Sequence, residues 1–337
     1  MPMRDMLKLK EEFERYSVVY YVQEVKDGVI LHIQPIDFEG LRQFLIDLTS
    51  DYDVKIHSRF GEFVVELKEY RKRVWINLVL LIATFISTTI MGAGMFGRFD
   101  IVGGMMYSIA IMFVLGFHEM GHYILARKWG MKTSLPYFIP FPSFIGTLGA
   151  VIKHRGKIPS RKALFDVGVS GPLFGIIASI IVTYIGLKMK FEPAYTEEFT
   201  LILGVPLLFE LIAKIAGYNE IYIHPVAFAG WVGMFVTFLN LIPVGQLDGG
   251  HVLRAMVGEK AELIYKVVPV ALIILGLVTN SSIWFFWGLI TLFFSMQKHP
   301  KPVDDTPIDL KRYVVGILTF ALGIACFTPT PFSITKS

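Results

Sequence analysis

The chain has 337 residues, of which 54% are hydrophobic and only 18% charged, with a formal net charge of +4. About a quarter of the residues of a soluble globular domain are charged, so this composition points to a membrane protein. No basic patch with interleaved aromatics suggests nucleic acid, and the lone Cys326 excludes an intrachain disulfide framework or a multi-cysteine zinc site.

Residues 1–72 read as a small soluble α+β domain. Met1 to Tyr16 is mixed in charge and lacks the apolar core of a signal peptide. Arg4 to Arg15 predicts a helix. Ser17 to Val22 and Val29 to Ile33 predict strands joined by a turn at Lys26-Asp27-Gly28. Asp37 can cap a helix carrying Leu41, Phe44, Leu45 and Leu48 at helical spacing. Val54 to Arg59 and Glu62 to Leu67 complete a ββαββ order, with a turn near Phe60-Gly61. His32 and His57 read as strand residues rather than ligands, and nothing in this domain carries chemistry.

Residues 73–337 predict a polytopic α-helical membrane domain of about seven spans. Val74 to Phe96 is uncharged and long enough to cross a hydrocarbon core of about 30 Å. Arg71, Lys72 and Arg73 precede it, which places its start and the N-terminus in the cytoplasm. A second span runs inward from Ile101 to Arg127-Lys128. Leu135 to Ala150 holds three prolines and two glycines between basic flanks, which predicts a re-entrant extended segment rather than a helix. Ala163 to Leu187 returns outward, and its Gly168 to Gly175 run allows close helix packing. Asp166 reads there as an interfacial or capping residue rather than a ligand. Leu201 to Ile215 is short for a span and predicts an interfacial or re-entrant helix. Pro225 to Val244 runs inward, followed by spans near Tyr265 to Val278, Ser282 to Gln297 and Tyr313 to Phe327.

The second span ends in His118-Glu119-Met120-Gly121-His122. Histidines four residues apart share a helix face, so both imidazoles can bind one zinc while the intervening glutamate serves as general base. Ionisable groups at the end of an uncharged membrane helix are costly and usually functional. Two histidines leave the zinc short of a third protein ligand. Asn240 to His251 contains Leu247-Asp248-Gly249-Gly250, which places one carboxylate at a helix end with glycines beside it. Asp248 reads either as the third ligand or as a cap of the helix after Pro243; as a ligand it would lie at the depth of the two histidines, which would fix the direction of the Pro225 to Val244 helix.

The histidine motif, followed by Asn240, Pro243 and Leu247-Asp248-Gly249-Gly250, resembles the site-2 protease family of intramembrane zinc metalloproteases. Its prokaryotic branch and plant plastid members are the nearest likeness. Pro136 to Pro140, Ile145 to Ala150 and Pro225 to Trp231 also resemble family segments, so the likeness extends over about residues 73–260. The resemblance implies zinc held by His118, His122 and Asp248, with Glu119 as catalytic base. It also implies that Asn240 steadies the substrate or the oxyanion.

The expected activity is hydrolysis of peptide bonds in single-span membrane proteins of the cell membrane. The segment Ile145 to Val151 would pair with an unwound substrate by strand addition. A membrane metal-binding protein or transporter without peptidase activity is the alternative reading. It would need further polar residues along a path, and the spans hold few. A homo-oligomer is compatible with the sequence, which names neither the substrate nor the trigger.

Overall fold

A computed structural model describes residues 3–25, 28–59, 62–70, 73–96, 99–191, 199–297 and 301–336. The turns expected at Lys26-Asp27 and Phe60-Gly61, and the flanking Arg71, Lys72, Lys298 and His299, lie outside those residues. The chain forms two compact units.

The first unit contains α1 (Met3–Glu14), β1 (Ser17–Val25), β2 (Gly28–Pro35), α2 (Phe38–Leu48), β3 (Tyr52–Arg59) and β4 (Glu62–Glu69). Its antiparallel sheet has the order β1-β2-β4-β3. Alternation puts Val29, Leu31 and Ile33 of β2 and Val65 and Leu67 of β4 on the covered face. Leu9 and Phe13 of α1 and Leu41 and Leu45 of α2 complete that core. Asp37 caps α2, its carboxylate accepting from the Gly40 N–H at 3.0 Å. This unit also includes Met131–Thr133 and His154–Lys157.

The second unit begins with α3 (Val74–Gly94) and α4 (Ile101–Lys128). Asp100 caps α4 by accepting from the N–H groups of Val102 and Gly103, and Arg127 and Lys128 oppose its C-terminal dipole. In chain order four short strands follow, β5 (Lys132–Thr133) and β8 (His154–Arg155) of the first unit on either side of β6 (Tyr137–Pro140) and β7 (Thr147–Val151) of the second, then α5 (Arg161–Lys188). Beyond lie β9 (Phe199–Leu203), α6 (Leu207–Ala216), α7 (Pro225–Asn240), α8 (Asp248–Val257), α9 (Ala261–Val278), α10 (Ser282–Ser295), α11 (Leu310–Ala325) and β10 (Phe332–Lys336). Four helical stretches are long and apolar enough to cross a membrane: Val74–Gly94, Ile101–Lys128, Arg161–Lys188 and Asp248–Val278. Pro225–Asn240 and Ser282–Ser295 are apolar but shorter.

Two expectations need correction. Leu201 to Ile215 is not one helix, because its first residues form β9, which pairs with β10 from the end of the chain. Pro206 separates that strand from α6. The run from Pro225 stops being helical at Asn240, three residues before Pro243. Residues 241–247 form tight turns instead, and these turns set the start of α8.

The proline-rich segment is a hairpin, β6 against β7. A non-helical backbone away from water must find protein partners, and here several are visible. Asn77 of α3 donates to the carbonyls of Leu135 and Pro136 at 3.0 and 2.9 Å. The Tyr107 hydroxyl donates to the Ile145 carbonyl at 3.0 Å, and Thr147 to that of Ile139 at 2.8 Å. Gly146 turns the chain at φ +85°, with the α3 backbone so close that a Cβ there would meet Thr88 Cα at 2.7 Å.

Candidate metal centre

One helix turn separates His118 from His122 on α4, and their rings lie 5.0 Å apart, both buried. Asp248 is the first residue of α8, directly after the N-cap residue Leu247. Its Oδ2 lies 3.2 Å from Nε2 of each histidine, while the two Nε2 atoms are 3.3 Å apart. Tetrahedral ligands about 2.0–2.1 Å from a zinc ion stand roughly 3.3 Å from one another. The three donor atoms therefore match three corners of such a shell. Two imidazoles and one carboxylate also form a donor set typical of catalytic zinc. Among the described residues this is the one group of three or more such side chains that could hold a metal ion.

Neighbouring groups orient the donors. His122 donates from Nδ1 to the Val167 carbonyl of α5 at 2.8 Å, which points Nε2 at Asp248 and, in the neutral ring, would leave its lone pair there for a metal. Asn240, the last residue of α7, places Nδ2 3.4 Å from His118 Nε2. One residue along a helix turns a side chain by about 100°. Glu119 consequently leaves the histidine face, and its carboxylate meets the backbone N–H of Ile152, just past β7. It is 8% exposed.

All five residues nominated from the sequence are thus neighbours, and Asp166 is elsewhere. Asp166 accepts from Trp129 Nε1 at 3.1 Å and pairs with Arg312 of α11 at 2.7 and 2.8 Å. Two kinds of contributor, a pair of glycines and an arginine, were not foreseen individually. A Cβ on Gly171 would lie 2.0 Å from His122 Nε2, and one on Gly175 would lie 2.8 Å from His118 Nδ1. The glycine run that permits close packing therefore makes room for the imidazoles themselves. Arg161 is the second surprise. The sequence groups it with flanking charges, yet it is buried, and it donates to the Ala255 and Met256 carbonyls at 2.9 and 3.1 Å. It closes the C-terminal end of α8, the helix that carries Asp248. No local signal reveals it, because those carbonyls lie more than ninety residues away.

Residues 106–276, a little over half of the chain, match the model of peptidase family M50. The chain belongs to peptidase family M50. All five nominated residues fall inside that match. The chain is 33% identical over 229 residues to a probable zinc metalloprotease EGY1, chloroplastic, of Oryza sativa subsp. japonica, an alignment covering 64% of this chain and 38% of that protein. The EGY1 protein of Arabidopsis thaliana, likewise named a probable zinc metalloprotease, is 29% identical over 233 residues, covering 66% and 42%. A probable zinc metalloprotease EGY2 of Oryza sativa subsp. indica is 26% identical over 268 residues, covering 76% and 46%. The M50 chain thus spans about two fifths of the length of the EGY1 relatives. No solved structure matches it.

Proposed function

We propose that this M50 chain is an intramembrane zinc metalloendopeptidase that hydrolyses peptide bonds of membrane-spanning substrates. The observation that carries this reading is the triangle of donor atoms, 3.2, 3.2 and 3.3 Å on its sides, beside the Glu119 carboxylate. His118, His122 and Asp248 would hold the ion. Zinc bound there supplies a Lewis acid that polarises the scissile carbonyl and lowers the pKa of water to about 7. Glu119 takes the proton of the attacking water and returns it to the leaving amine. The Asn240 amide donates toward the negative charge that develops on the carbonyl oxygen.

Substrate is bound as an added strand on β7. Among the described residues β7 pairs only with β6, and Leu148 and Val151 are 63% and 50% exposed. The chain runs from β7 directly to Ile152, whose N–H meets Glu119. A peptide paired along β7 would therefore bring a bond to the general base. An intact helix shields its peptide groups, so the substrate unwinds before it is cut.

The membrane arrangement belongs to the same proposal. Seven crossings, by α3, α4, α5, α7, α8–α9, α10 and α11, are part of it, with the basic residues before α3 putting the N-terminus, and the metal centre, on the cytoplasmic side of a cell membrane. His118 near the end of α4 and Asp248 just past α7 meet, so those two helices share a direction. Single-span membrane proteins are the substrate class. The test is cleavage of a panel of such proteins by the purified chain, with and without a chelator. Cleavage that stops on chelation and returns with added zinc is expected. Zinc movement across a vesicle membrane, with no cleavage of any substrate, would overturn the proposal in favour of a transporter.

A further inference from the structure

The β6–β7 hairpin has two roots, one on each side in sequence. Met131–Thr133 enters it and His154–Lys157 leaves it, and both belong to the N-terminal unit. Within that unit, β5 and β8 pair with each other, Lys132 opposite Arg155 and Thr133 opposite His154. Next along the chain, within the second unit, the two segments are again bonded to each other. Ser134 N–H donates to the Lys153 carbonyl at 3.0 Å, and Lys153 N–H to Ser134 Oγ at 2.9 Å.

Three basic residues of the roots meet three acidic residues around the end of α2 and the start of β3. Lys132 donates to Asp51 at 2.6 Å, Lys157 to Asp47 at 2.5 Å, and Arg155 pairs with Asp53. Arg155 does more than pair. Its Nη1 donates to the Thr49 carbonyl at 3.2 Å, and its guanidinium lies 3.4 Å from the Tyr70 ring centroid. Gly156 N–H donates to Thr49 Oγ1 at 3.2 Å. The arginine side chain is only 11% exposed, whereas Lys132 and Asp51 are 52% and 62% exposed. Exposed ion pairs contribute little on their own, while a stacked, many-bonded arginine cannot be replaced by a lysine without losing most of its contacts. Arg155 is therefore the principal link, and the two lysine pairs steer it.

We propose that the N-terminal domain is a clamp on the substrate-binding hairpin, with Arg155 as the positioning residue that sets the free edge of β7. The inference rests on the strand-addition reading above. Arg155 is four residues past Val151, the end of β7, and three past Ile152. A displacement of the root travels along this short extended stretch to the pairing edge. The class of substrate most affected is one that must be unwound, because that substrate draws on strand pairing to open its helix as well as to bind. Holding the hairpin at its base assigns a purpose to a domain that otherwise carries no chemistry.

The experiment uses the full chain in lipid nanodiscs, with a single-span membrane substrate and a short extended peptide bearing the same cleavage sequence. Arg155→Met keeps the apolar stem and removes every polar contact. It is expected to raise KM for the membrane substrate at least tenfold, with kcat and bound zinc near wild type and the short peptide changed less than threefold. Asp47→Lys and Lys157→Asp should each raise KM for the membrane substrate, and the two together should recover most of that loss. Leu148→Pro separates this inference from the reading beneath it, since proline removes a backbone donor from β7 itself. If Leu148→Pro cripples membrane-substrate cleavage and Arg155→Met does not change KM, the clamp is wrong and strand addition stands. If Leu148→Pro is harmless, both fall. Equal loss on both substrates together with lost zinc in Arg155→Met would reduce the arginine to a structural brace and overturn the proposal.

Discussion

Glu119→Gln is expected to abolish cleavage while the zinc stays bound. The glutamate is not among the three clustered donors, so its replacement leaves the 3.2–3.3 Å triangle intact. Glutamine has nearly the same shape, and its carbonyl oxygen can still accept from the Ile152 N–H. What it lacks is the capacity to take a proton near neutral pH. A general base contributes about 100- to 10,000-fold, and turnover should fall at least that far. Metal analysis beside a cleavage assay checks both halves. Retained turnover would assign the base to another group, and lost zinc would place Glu119 among the ligands.

Gly171→Ala should have a comparably large effect by a different route. The added Cβ would stand 2.0 Å from His122 Nε2, well inside any tolerable contact, so the imidazole has to leave its place. Overpacking of this kind costs typically 1–3 kcal/mol in a core. Here the atom that moves is one of the three proposed metal donors, so the loss should fall on zinc affinity before it falls on the fold. The helical content of the variant should match wild type, with most of the zinc and the activity gone. Gly94→Ala is the control, because nothing lies within 4 Å of a Cβ there. If Gly171→Ala kept its full zinc content, the close approach of α5 to α4 would not shape the donors.

Residues whose meaning is local were readable from the sequence. The uncharged runs from Val74 and Ile101 appear as helices, and the four-residue spacing of His118 and His122 puts both rings on one face. Asp248 was nominated because a zinc with two histidines lacks a ligand and few acids occur nearby, and because the family resemblance points to it; the fold brings it beside the two imidazoles. Contributors that depend on a distant partner were not readable. Gly171 and Gly175 look like ordinary packing residues until α5 lies across α4. Arg161 looks like a flanking charge until its carbonyl partners arrive from α8. β9 resembles the start of an apolar helix because its partner, β10, is supplied from the other end of the chain. The grip on Arg155 is of the same kind, with Thr49, Asp53 and Tyr70 brought to it by the fold of the N-terminal unit.

The central claim is that one zinc ion is held by His118, His122 and Asp248. X-ray absorption at the zinc edge of the purified chain tests it most directly, with metal content measured on the same sample. Equimolar zinc with two imidazole nitrogens and carboxylate oxygen at about 2.0–2.2 Å is the predicted result, and His118→Ala and Asp248→Ala should each lose the ion. A zinc shell without histidine nitrogen, or an equimolar zinc content that survives both substitutions, would contradict the account.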